Sequence, residues 1–120
     1  MKVKMKVIDK AILNHAKWKK RLKKAIKQGY LGAPVAVIRD PHACKFGRFL
    51  RDSDSDSIFS RHYQEVAEIH KKFHEKAAEV ANLAIDGKTD EAIKEMQSNS
   101  DYDILSMQLI NALANWKYDL

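Results

Sequence analysis

IFSRHYQEVAEIHKKFHEKAAEVANLAID, residues 58–86, decides the fold. Phe59, Val66, His70, Phe73, Ala77, Ala81 and Ala84 recur on one stripe at three-, four- and seven-residue steps, the signature of a helix that buries one face. A helix from about Ile58 to Asp86 is predicted, with Gly87 as its stop.

On the N-terminal side of that helix, the run Asp52-Ser53-Asp54-Ser55-Asp56-Ser57 is turn and cap material. It lacks the loop glycine and distal glutamate of an EF-hand, so it reads as a solvated loop. Before it, Asp40-Pro41 pairs an N-cap acid with proline at the first helical position. A short helix carrying Cys44, Phe46, Phe49 and Leu50 and ending near Arg51 is therefore expected. Gly32-Ala33-Pro34 breaks the chain, and Val35 to Ile38 is expected as an extended apolar connector.

The first helix follows from Ile8, Ala11, Ile12, His15, Trp18, Leu22, Ala25 and Ile26, with lysines on the opposite faces and Gly29 as its end. After Gly87, Lys88-Thr89-Asp90-Glu91 starts a last helical segment containing Ala92, Ile93 and Met96. Ser98-Asn99-Ser100 interrupts it before Ile104, Leu105, Leu109, Ala112, Leu113 and Trp116, which makes either one kinked helix or two stacked ones. The apolar residues Ile104, Leu105, Leu109 and Leu113 suit either the core or a dimer face.

These segments predict an all-α fold: a four-helix bundle-like domain over residues 1–120, with a short extra helix that carries the cysteine. A chain of 120 residues, 45% hydrophobic and 32% charged with four Gly and two Pro, can bury a core and disfavours both disorder and a turn-rich β fold. No apolar run is long enough to span a bilayer, and the basic start MKVKMKVIDK lacks the apolar stretch of a secretory signal. A cytoplasmic location is expected.

The net charge of +6 is local. Residues 1–29 hold 11 of the 22 basic residues against one acid, Asp9, so the remainder carries 11 basic and 15 acidic residues. Lys17, Lys19, Lys20, Arg21, Lys23, Lys24 and Lys27 could attract nucleic acid, an acidic protein or anionic lipid. Such a face is ordinarily solvated surface, so nucleic acid is not the expected partner. A basic binding module stands as an alternative function.

His70 and His74 form an H-x-x-x-H pair, one turn apart on one helix face, which lets both imidazoles converge on one point. The pair alone is a weak signal. His15 shares the apolar stripe of the first helix, and a core-facing imidazole left unsatisfied costs about 1–3 kcal/mol. A hydrogen bond to a neighbouring helix would satisfy it as well as a metal would. Cys44 is the only cysteine, which excludes an internal disulfide. It follows a helix start, where free amides and the dipole favour an anionic ligand. Three imidazoles and one thiol on core-facing positions form a four-ligand set suited to zinc in tetrahedral geometry. The Glu-x-x-His spacing of carboxylate-rich di-iron bundles is absent.

His15-Ala16-Lys17-Trp18, Cys44-Lys45-Phe46-Gly47-Arg48-Phe49-Leu50 and His70-Lys71-Lys72-Phe73-His74 together resemble the signature of the chemoreceptor zinc-binding family. The order matches, and so do the long spacings of 28 residues between His15 and Cys44 and 25 between Cys44 and His70. Phe49 stands where the family often has Trp, and no output module is expected within residues 1–120.

The resemblance implies one Zn(2+) per chain held by His15, Cys44, His70 and His74. It also implies a homodimer and a regulatory sensor acting in trans on a signalling protein of chemotaxis or cyclic-di-GMP type. Zinc occupancy, or oxidation of Cys44, would be the signal; a structural zinc protein or zinc buffer is the rival reading. A closed four-ligand site leaves no open position for substrate water, so an enzyme is not expected.

Among the supporting residues, Trp18, Phe46 and Phe73 would wall the site or simply fill the core. Gly47 would let another helix approach beside the sulfur. Asp40 would cap a helix or bond a ligating imidazole. His42 and His62 read as surface residues or as supports outside the ligand set.

Overall fold

The computed structural model describes residues 2–52 and 60–120, with side chains from residue 4 onward. Helix α1 spans Lys2–Ala16 and α2 spans Trp18–Gln28. The single expected helix thus lapses at Lys17, but only slightly. Lys17 stays right-handed helical (φ −70°, ψ −18°), donates to Leu13 O at 3.1 Å and accepts from Arg21 N at 3.2 Å. Gly29 ends α2 in the left-handed conformation (φ 79°) that glycine adopts without strain.

The extended connector expected at Val35–Ile38 is instead a helix, α3 (Val35–Arg39). The β-branched residues favour extended backbone, but packing wins here. Ile38 is buried and α3 lies against the long central helix, so tertiary contact overrides a weak local preference.

The helix expected from Asp40 to Arg51 is also divided. Pro41–Ala43 is a 3-10 turn whose first free amide, His42 N–H, donates to Asp40 Oδ1 at 2.9 Å. Helix α4 then runs Lys45–Arg51. Cys44 is the extended junction between the two (φ −85°, ψ 140°), not a helical residue as expected. Its carbonyl accepts from Arg48 N, so the residue that aims the thiol also starts α4.

Helix α5 (Arg61–Ile85) is the centre of the fold. The Ser60 side chain caps its start by accepting from Tyr63 N. The expected start at Ile58–Phe59 and the Asp/Ser loop from Ser53 lie outside the described residues. At the other end Lys88 N donates to Leu83 O and Gly87 N to Ala84 O, with Gly87 at φ 76°. That is the Schellman pattern, which satisfies carbonyls the helix end leaves open.

The last segment forms two helices, α6 (Thr89–Glu95) and α7 (Asp101–Tyr118). The break lies at the polar interruption. Asn99 takes φ 69°, Ser100 Oγ accepts from Asp103 N at 3.1 Å, and Asp103 Oδ2 accepts from Asn99 N at 2.9 Å. These reciprocal bonds cap α7 and supply a stop that hydrophobic periodicity does not show.

The rod formed by α1 and α2 packs on α7 and α5, α5 packs on α7, and α3, the 3-10 turn and α4 cover the remaining flank of α5. The result is the expected all-α bundle. Val66, Phe73, Ala77, Ala78, Val80 and Ala81 of α5 meet Ile8, Leu22, Leu109, Leu113 and Trp116 in the core. The alanines keep the helices close, and the large side chains fill the space between them. Of the four apolar residues that suited core or dimer face, Leu109 and Leu113 are buried, Leu105 is half-buried and Ile104 is exposed. Tyr63 Oη donates to Leu50 O at 2.6 Å and fastens the end of α4 to α5. Among the described residues, no helix is long and apolar enough to cross a membrane.

Candidate metal centre

Each element delivers one part of a single cluster. The last turn of α1 brings His15, the junction before α4 brings Cys44, and one face of α5 brings His70 and His74. One ligand atom from each of the four lies within 4.8 Å of all the others. His15 Nε2 is 3.1 Å from His70 Nε2, which is 3.1 Å from His74 Nε2. Cys44 Sγ is 3.8 Å from His15 Nε2.

Those separations can be compared with a zinc tetrahedron. Arms of about 2.0–2.1 Å to nitrogen and about 2.3 Å to sulfur put neighbouring nitrogens about 3.3 Å apart and sulfur about 3.6 Å from nitrogen. The three separations above match these edges to within a few tenths of an ångström, and no ligand pair is more than 4.8 Å apart, so the residues fit the ion in type and placement.

Two imidazoles are held from behind. His15 Nδ1 donates to Ala11 O at 2.7 Å, and His74 Nδ1 donates to Ile38 O at 2.8 Å. A carbonyl can only accept, so both rings carry their proton on Nδ1 and turn a lone pair inward from Nε2. His70 Nε2 faces both lone pairs, and a single N–H there can serve only one of them. The Cys44 S–H, 3.8 Å from His15 Nε2, is the donor left for the other, so one proton on Cys44 and one on His70 can satisfy the metal-free cluster. A divalent cation can take the place of those two protons and accept all the inward lone pairs at once.

The rings are also kept neutral. Burial pushes His15 down to about 4, against the opposing pull of its bond to Ala11. Burial, with the neighbouring His74 and His15, pushes His70 down to about 2. His74 is lowered by burial too, although its bond to Ile38 and the charge of Asp40 oppose the shift. Neutral imidazole is the form that ligates metal.

Phe73 lies edge-on to His15, with ring centroids 5.4 Å apart, and Phe46 lies edge-on to His70 at 5.2 Å. Both are buried and line the cluster as core residues. Trp18 is half-buried in a cleft that reaches Cys44 and His74, with the Arg21 guanidinium 3.9 Å from its ring centroid. Gly47 is buried; a Cβ built there would lie 1.7 Å from Pro41 O and 3.2 Å from His70 Cε1. The close neighbours of Gly47 are thus the 3-10 turn and an imidazole edge, where another helix was expected.

Asp40 caps the turn through His42 N–H. His42 and His62 stay outside the cluster, and His62 pairs with Asp119. The supports that sequence reasoning missed are the carbonyls of Ala11 and Ile38. A backbone acceptor has no residue-type signature, and Ile38 O is offered inward only because Val35–Arg39 is helical.

The family model of the chemoreceptor zinc-binding domain matches residues 15–81. That span opens on His15 and includes Cys44, His70 and His74. No curated protein and no solved structure gives a significant match. With more than half of its 120 residues matched, the chain belongs to the chemoreceptor zinc-binding domain family.

Proposed function

We propose that this chain is a zinc-responsive regulatory domain in which His15, Cys44, His70 and His74 hold one zinc ion. The observation that carries the reading is the convergence of the three Nε2 atoms and the Cys44 sulfur, with two rings already aimed by backbone carbonyls. Bound zinc would supply a positive centre that ties α1, α5 and the α3–turn–α4 flank together. Four protein ligands close the coordination sphere, which suits regulation or structure better than hydrolysis.

The chain's own residues give the response. Cys44 sits on the short flank between two brief helical pieces, whereas the histidines sit on long helices. Loss of the ion frees the flank first and leaves the bundle, a local change of packing that a partner can sense. The family is a sensor and regulatory one, so the partner is taken to be a signalling protein acting in trans on a homodimer. Oxidation of Cys44 to sulfenic acid would remove the thiolate ligand and give the same response.

Metal analysis of the purified chain tests the ligand set. About one zinc per chain is expected, with Cys44→Ala and His70→Ala retaining much less. Hydrogen exchange with and without zinc separates a sensor from a purely structural site. Protection lost only over residues 35–51 supports the sensor. Protection lost throughout α5 and α7 supports structural zinc and overturns the proposal.

A further inference from the structure

We propose that zinc occupancy is set by exchange with small anionic chelating ligands of carboxylate or thiolate type, admitted to the Cys44 sulfur through cation-lined clefts. This rests on the zinc reading above and goes beyond it to the chemistry that loads and empties the site. Cys44 is the exposed corner of the cluster: it is half-buried, whereas the three histidines are at most 3% exposed.

Clefts on two sides reach it among the described residues. One, about 330 Å³, lies between α2 and α3, touches Cys44 and His74, and has Lys17 and Arg21 in its wall. The other, about 340 Å³, lies between α1 and α4, touches Cys44 and His15, and has Lys10 and Lys45 in its wall. Neither wall contains an aspartate or glutamate. Asp9, close to the second wall in sequence, pairs with Lys117 at 2.7 Å; Asp40 accepts from His42 N–H and its charge is felt at His74, but neither carboxylate lines a cleft. Arg21 is held in place by its stacking on Trp18.

A cleft walled by one sign of charge concentrates ligands of the other sign and raises their encounter rate tenfold or more, an effect that salt removes. A bare divalent cation is repelled by the same walls. An anionic chelator is drawn to the one ligand it can displace directly: its donor atom forms a bond to the metal as the Cys44 bond breaks, with no change of oxidation state. The half-buried sulfur and the positive walls thus make the site answer to complexed zinc and to free chelator, not to the aquo ion.

The test uses the zinc-loaded full chain, with zinc content measured before mixing. Zinc transfer is timed to nitrilotriacetate, an anion, and to 1,10-phenanthroline, which is neutral. With nitrilotriacetate the rate is expected to rise in proportion to chelator and to fall as salt is added. With phenanthroline it is expected to be indifferent to salt. Lys17→Glu/Arg21→Glu or Lys10→Glu/Lys45→Glu should slow nitrilotriacetate about tenfold and leave phenanthroline unchanged, and the responsive pair identifies the route.

All four positions are exposed, and the salt series on the parent chain stands even if a variant misfolds. A rate independent of chelator concentration, or anionic transfer unaffected by salt, overturns the proposal. A chain that takes up no zinc removes the proposed function and this proposal with it, and the initial metal analysis shows that separately.

Discussion

Replacing Gly47 by alanine sets two physical effects against each other. Gly47 lies inside α4 and is not among the positive-φ glycines. By helix propensity alone, alanine would therefore stabilise the chain by up to about 1 kcal/mol. The packing opposes this. The new methyl would sit 1.7 Å from Pro41 O and 2.6 Å from Pro41 C, whereas carbon and a carbonyl oxygen rest about 3.3 Å apart.

The turn and α4 must therefore separate by roughly 1.6 Å, against a tolerance of about 0.2 Å in metal–ligand distances. Cys44 is the hinge between the turn and α4, so the displacement falls on the ligand atom. Overpacking of this kind costs about 1–3 kcal/mol; borne by the ligand set, at about 1.4 kcal/mol per decade, it should lower zinc affinity roughly five- to hundredfold. Chelator competition measures the affinity, and urea unfolding of the metal-free protein measures the stability. Gly32→Ala is the control, because nothing lies within 4 Å of a Cβ there. If Gly47→Ala held zinc as tightly as the parent and resisted urea better, this account of the turn would be refuted.

Acid should destabilise the metal-free chain. His15, His70 and His74 all have folded-state values below 6.5. Below about pH 6.5 the unfolded chain gains protons that the folded one refuses, so stability falls as the pH is lowered. The contribution is intact above pH 6.5 and for His15 is spent near pH 4, where the folded ring also protonates. Urea midpoints that stay flat from pH 7 to 5 would contradict this.

Tyr102 is fully buried, with its hydroxyl unpaired among the described residues, and burial raises its pKa. Tyr102→Phe should raise stability by about 1 kcal/mol, since it removes a desolvated group and keeps the ring against Phe73; a lower melting temperature would disprove it. Leu109→Ala, at a site with no solvent exposure, should cost about 2–5 kcal/mol by thermal or urea unfolding. A cost below 1 kcal/mol would mean that α7 is not integral to the core.

The long helices were legible because burial leaves a periodic record. Val66, Phe73, Ala77, Ala81 and Ala84 are all buried where the stripe predicts. His15 and His70 were legible for the same reason, as core-stripe positions that an imidazole fills only when something satisfies it, and His74 by its four-residue spacing from His70. Short elements left weaker marks. Val35–Arg39 is too short for a helical period to stand out from an apolar run, and its helicity comes from packing on α5. Asp40-Pro41 correctly signals a capped turn, yet the sequence does not say whether three residues or eleven follow it in helical form. Cys44 therefore reads as helical in the sequence although it is the joint before a helix.

The backbone supports of His15 and His74 have a practical consequence. Alanine scanning deletes side chains, so it is blind to the Ala11 and Ile38 carbonyls that orient the two rings. Site-directed variants will credit the whole centre to four residues. Only a change in the main chain itself, such as an ester in place of the amide that follows Ile38, weakens that acceptor while every side chain stays in place. For the same reason, drift in the identity of residue 38 can leave the ring's orientation untouched.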